Sequence, residues 1–196
     1  MKLNAATLAV LAALIAVAGP IAGPTPAIAY SYAAAGAEPL LDGREALFAA
    51  VSAGKWDDAK TALAAMQADL DYLDQNEDKG TAQAFDDAVA AKDAKLVTAA
   101  FVRAASDEIV RRVDGGRANL TDYQSAKVLV IRAQRFYTAI AGDLPPDQSK
   151  IVGDGLQKAL DAIGNPGVFG VGARQPDPTA YAAARAEIFK ALGKTP

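Results

Sequence analysis

Five side chains in the stretch "DLDYLDQNEDKG" have the chemistry to bind a hard cation: Asp69, Asp71, Asp74, Asn76 and Asp78. Calcium and ferric ions take oxygen ligands, and carboxylates with one amide are such a donor set. Asp74, Asn76 and Asp78 stand at alternate positions ahead of Gly80, the spacing of a loop that wraps calcium. Two positions depart from that pattern. Lys79 stands where the loop needs glycine, and Phe85 stands at the twelfth place, where a bidentate glutamate belongs. The stretch reads either as a weak calcium or iron site or as an acidic turn in water.

A second group is basic. Between Lys95 and Arg135 lie Arg103, Arg111, Arg112, Arg117, Lys127 and Arg132, opposed only by Asp107, Glu108, Asp114 and Asp122. Ten acidic residues against three lysines precede them, from Asp57 to Asp93. Such polarity either closes on itself through salt bridges between helices or offers a basic face to an acidic partner. The docking reading takes the basic group from Arg103 to Arg135 as the contact, and requires that Arg111, Arg112, Arg117, Arg132 and Arg135 share one exposed face.

The third candidate is the stretch "IGNPGVFGVGARQPD", residues 163–177, crowded with glycine and proline. Its "GVFGVG" is not a dinucleotide fingerprint, because the glycines come in the wrong order and no strand precedes them. It also lacks the Gly-Lys-Ser/Thr that holds phosphate and magnesium. Two readings remain. Phe169, flanked by Val168 and Val171, anchors a stiff connection on the body of the protein, or the loop presents Phe169 and Arg174 to a partner.

Absences narrow the chemistry further. The chain has no histidine and no cysteine, which removes the commonest general base, the commonest transition-metal ligands, Ser-His-Asp triads and cysteine nucleophiles. A buried di-iron site normally uses Glu-x-x-His pairs, and axial ligation of haem by histidine is equally closed. Carboxylate-only catalysis, as in glycosidases, has no motif here beyond the abundance of aspartate. The expectation is a protein that is not an enzyme and carries no cofactor.

These groups need a scaffold, and periodicity supplies it. Trp56, Ala59, Leu63, Met66, Leu70 and Leu73 recur at helical spacing, as do Val97, Phe101, Ala105, Ile109 and Val113. Further stripes run through Tyr123, Ala126, Val130, Ala133, Tyr137 and Ile140, through Val152, Leu156, Leu160 and Ile163, and through Tyr181, Ala184, Ile188 and Leu192. No stretch sustains a period of two. The fold predicted is all-α, an antiparallel bundle of α-hairpins with five long helices and two short ones near 39–53 and 81–92. Gly54, Gly80, Gly115-Gly116, Gly142, Gly164 and Gly193 mark expected helix ends. Thr121 and Gln124 predict a capping box, and Asp177-Pro178 an N-cap followed by proline at the first helical position. A faint internal echo pairs Leu47 with Phe85, Val51 with Val89 and Leu63 with Phe101.

The first 29 residues read as an export signal: Lys2, the apolar run Leu8 to Gly19, and the small-x-small site Ala27-Ile28-Ala29. Cleavage after Ala29 leaves 167 of the 196 residues, with 19 basic against 23 acidic side chains. That acidic balance argues against nucleic acid. A flexible segment over 30–38 and a single helical domain over 39–196, with its loop at 164–177, complete the predicted organisation. The expected place is the periplasm or a compartment descended from it, with no transmembrane segment in the mature chain.

"GKWDDAKTALAAMQADLDYL" followed by "FDDAVAAKDAKLVTAAF" resembles the Q-type extrinsic subunits of photosystem II, through Lys55, Trp56, Leu63 and Leu70 and an acidic, alanine-rich third helix. The resemblance spans residues 54–101. It implies a lumenal four-helix bundle that stabilises a membrane complex without catalysis, and it assigns no site residue. "YQSAKVLVIRAQRFYTAI" resembles helical extracytoplasmic domains that accompany bacterial metal-uptake systems, though the stretch holds no metal-binding motif. The expected function is an exported accessory protein that docks on a larger, membrane-associated complex; the alternative is an extracytoplasmic binder of a small ligand or hard cation.

Overall fold

A computed structural model describes residues 38–195. The export signal expected over 1–29 lies outside the described residues, as does most of the segment expected over 30–38. These residues form seven α-helices: α1 (Pro39–Ser52), α2 (Trp56–Asn76), α3 (Thr81–Ala90), α4 (Ala94–Ala118), α5 (Tyr123–Ile140), α6 (Pro146–Ala162) and α7 (Pro178–Ala191). The fold is all-α, as periodicity predicts, although α7 is no longer than α1 at 14 residues.

The stripes read from sequence build most of the core, with Trp56, Tyr123, Tyr137, Leu160 and Leu192 only partly buried against it. Ala59, Leu63, Met66, Leu70 and Leu73 of α2 and Val97, Phe101, Ala105, Ile109 and Val113 of α4 are all buried. Each large apolar side chain removed from water contributes about 1.5–3 kcal/mol. Each helix packs on the next in the chain, and α7 returns to α4, which also touches α1 and α2. Helix α4 is therefore the centre of the bundle, and its middle is covered on every side. Ser106, Asp107, Glu108 and Arg112 are buried there beside the apolar residues.

Local signals settle the helix ends. Asp177 caps α7 by accepting from Ala180 N–H, with Pro178 in the first turn. The cap of α5 is Asp122, one residue beyond the expected Thr121; its carboxylate accepts from Gln124 and Ser125 N–H. Aspartate supplies two acceptor oxygens, and the second takes the Ser125 hydroxyl at 2.7 Å.

The internal echo is present in backbone geometry. Lys55 N–H bonds Ala50 C=O after α1, and Asp93 N–H bonds Ala88 C=O after α3. Both are the six-to-one closure of a Schellman turn. The left-handed position is Gly54 in the first (φ 69°) and Lys92 in the second (φ 53°).

One expected helix end is wrong. Gly115 and Gly116 lie inside α4, not after it. Their role is close approach: a Cβ on Gly116 would fall 2.3 Å from the Tyr181 hydroxyl oxygen of α7 and 3.1 Å from Val130 of α5. Glycine lets three helices meet there, at a helix-propensity cost of about 1 kcal/mol.

Candidate functional site

Between α6 and α7 the chain builds a small β-hairpin on a helical protein. Asn165 and Arg174 exchange two backbone hydrogen bonds of 2.8 and 2.7 Å, and Val168 and Val171 exchange two of 3.1 and 3.0 Å. Asn165 Oδ1 accepts from Gly167 N–H at 2.9 Å and stiffens the entry. The loop proper is two residues, Phe169 and Gly170, with φ of 52° and 82°. Positive φ at both central residues is what a type I′ turn requires, and that turn normally selects Asn-Gly or Gly-Gly. Phenylalanine at such a φ costs about 1–2 kcal/mol.

Phe169 is not an anchor on the bundle. It is fully exposed (102 %), with Val168 at 73 % and Val171 at 80 % beside it. The reading in which it pins the connection down is corrected: at the base Ile163 and Gly164 are buried and Pro176 partly so, while Phe169 stands in solvent. Gly164 is buried, and a Cβ there would meet Arg174 C=O at 2.4 Å. Arg174 is exposed but engaged, donating to Asp161 C=O at 2.9 Å.

The six arginines do not share one exposed face. Arg112 is buried, with Nη2 donating to Glu38 and, at 3.0 Å, to Glu108; its guanidinium lies 4.9 Å from the Phe136 ring centre. Arg111 clasps Glu108 through both carboxylate oxygens, at 3.0 and 2.7 Å. Arg132 is half-buried, 3.6 Å from Glu38. Arg103 closes the turn between α2 and α3, donating to Asp78 at 3.1 Å and to Lys79 C=O at 2.6 Å. Only Arg117 and Arg135 are exposed residues. The physical reason is the position of α4: a central helix turns most of its length inward, so its cations must pair inside.

Glu38, expected at the end of a flexible segment, is buried in this cluster. Burial pushes its carboxyl up, against the pull of Arg112. Asp107 is likewise pushed up by burial, although Lys194 Nζ and the Thr81 hydroxyl donate to it. Burial would raise Asp78 too, but hydrogen bonds from Arg103 and Lys194 outweigh it and hold the carboxyl below its ordinary value.

The five acidic-stretch residues do not converge on a cation. Asp74 accepts from Ala82 N–H at 2.9 Å, satisfying an orphan donor of α3. Asp71 accepts from Gln67, Asn76 donates to Tyr72 C=O, and Asp78 is held by Arg103 and Lys194. Asp69 sits half-buried on α2. Among the described residues, no three Asp, Glu, His or Cys side chains form a group that could hold a metal ion.

Sequence reasoning missed the buried cluster's full membership. Glu108 with Arg111 and Arg112 at i+3 and i+4 was legible as a helical pair pattern. Glu38, 74 positions from Arg112 in sequence, carried no local signal. Compared with known protein families, characterised proteins and solved structures, the chain matches none.

Proposed function

We propose that this chain is an exported, non-catalytic accessory protein that docks on a larger, membrane-associated complex, and that the hairpin of residues 165–174 makes the contact. One observation carries this reading: Phe169 stands fully exposed at the tip, in a backbone conformation that phenylalanine rarely adopts. Isolated exposed apolar residues are ordinary. A strained aromatic flanked by two exposed valines on a braced turn is not, and backbone strain concentrates where function requires it. The lack of histidine and cysteine, and the internal pairing of Asp71, Asp74, Asn76 and Asp78, support docking over catalysis or cation binding.

The arginines now have a structural role in this reading, and docking moves from charge to the apolar tip. Q-type photosystem II subunits remain the resemblance that suggests the kind of complex. Crosslinking from native membranes with the protein as bait tests the proposal. A tip-driven complex survives rising salt, whereas a charge-driven one is lost above about 0.5 M. Recovery that is unchanged by Phe169→Ser would overturn the assignment of the hairpin.

A further inference from the structure

Resting on that docking reading, and placing the tip's own contact in the bilayer beside the complex, we propose that the hairpin tip is a lipid-interface anchor, with Val168, Phe169 and Val171 entering the boundary between headgroups and acyl chains. From Pro166 to Ala173 the sequence "PGVFGVGA" holds no charge and no hydrogen-bonding side chain. Its backbone is satisfied from within in part. Asn165, Val168, Val171 and Arg174 pair across the hairpin, Gly167 N–H is taken by Asn165, and Pro166 has no N–H. Each hydrogen bond kept inside the hairpin lowers the cost of leaving bulk water, and the tip N–H groups of Phe169 and Gly170, which make none within it, keep water or headgroup partners at a shallow depth.

Size points the same way. Three exposed side chains of this kind offer on the order of 400 Å², about half of what each side of a stable protein interface buries. Insertion into the headgroup boundary needs only a shallow apolar tip, roughly 5–10 Å deep. Asn165, Arg174 and Gln175 stand at the base of the hairpin, exposed polar residues that stay at the headgroup layer while the apolar tip goes deeper. A hollow of about 360 Å³ lined by Leu120, Tyr123, Ile163 and Pro166 lies at the same base.

The test uses fluorescence from the tip itself. Trp56 is the only tryptophan, so the full chain with Trp56→Phe and Phe169→Trp reports from one position. Phosphatidylcholine vesicles with brominated acyl chains should shift its emission to the blue and quench it. Raising salt from about 0.05 to 0.5 M should leave this unchanged, because the tip is uncharged. In the unaltered background, Val168→Ser with Val171→Ser should lower vesicle partitioning about tenfold or more. Solvent-like emission at saturating lipid, or binding that salt abolishes, overturns the lipid inference. If complex recovery from membranes still depends on Phe169 in that case, the tip fits a protein pocket and the docking reading survives. If neither depends on Phe169, both fall.

Discussion

Replacing Arg112 with methionine tests the description of the bundle's interior. Its side chain is 1 % exposed, and Glu38 and Glu108, at 1 % and 2 %, both accept from the same Nη2. Methionine keeps much of the stem that packs against Phe136, so the cavity contribution is small. What is lost is the cation between two buried carboxylates. Removing one partner of a buried pair costs about 3–5 kcal/mol. Arg111 and Arg132 stay near, so the lower end, about 3 kcal/mol, is expected, a fall in Tm of about 6–12 °C for a chain of this size. The loss depends on pH in a defined direction. Burial already raises Glu38 above its ordinary value, and without Arg112 its carboxyl rises further. A carboxyl raised in the folded state stabilises below its unfolded value, and that contribution is lost as pH rises through the folded one. The deficit of the variant is therefore largest near pH 7.5 and shrinks towards about pH 4.5. Denaturant unfolding followed by far-UV circular dichroism at both pH values measures it. Arg117→Met, on an exposed residue of the same helix, is the control and should cost under about 0.5 kcal/mol. Equal losses for the two variants, or a deficit that grows on acidification, would refute the buried cluster. Adding Glu38→Gln to Arg112→Met should restore part of the loss, since one uncompensated charge is gone.

Three further outcomes follow from the packing and the turns. Gly116→Ala places a methyl 2.3 Å from the Tyr181 hydroxyl oxygen, which donates to Val113 C=O at 2.8 Å; the variant should lose about 2–3 kcal/mol of stability in denaturant unfolding, part of it recovered when Tyr181→Phe removes that oxygen. Lys92→Gly relieves a left-handed lysine in a Schellman turn, and thermal melting should show a gain of about 1 kcal/mol, whereas Gly54→Ala in the equivalent turn should lose a similar amount. Partial loss of hydration pushes the carboxyl of Glu77, a surface residue, up to about 7, against Arg111 and with Asp107, Asp114 and Glu108 adding to the rise. Its stabilising contribution is thus complete below its ordinary value and disappears as pH rises through about 7. Glu77→Gln should flatten stability across that window, by under about 1 kcal/mol because the residue is solvent-exposed and screened.

Much of the helical core was legible because burial and period coincide. Leu63, Met66, Leu70 and Leu73 fall on one line of α2, and each is buried. Asp177-Pro178 was readable for the same reason: the cap is a local hydrogen bond made within four residues. Gly115-Gly116 misled because glycine marks both helix ends and close approaches, and only the position of Tyr181, 65 residues after Gly116, distinguishes them. The arginines misled for a related reason. Sequence shows their number, but exposure depends on α4 being central, a property of which helices surround it.

The hairpin was half legible. Its glycines and prolines marked a rigid connection, but Phe-Gly is not the residue pair that predicts a type I′ turn. Strand pairing here is only two bridges long, too short for a period-two pattern to emerge. The same exception to local preference motivates the docking proposal, because at Phe169 the unfavourable backbone coincides with full exposure of an aromatic side chain.

Phe169→Asn separates those two pressures and tests the central claim most directly. Asparagine accepts positive φ far better than phenylalanine, so the variant should melt at the same temperature or slightly higher. Crosslinking from native membranes should then recover little or none of the complex that the unaltered chain recovers. Full recovery with Phe169→Asn would contradict docking through the hairpin, and a fall in Tm would contradict the strained turn from which that docking was inferred.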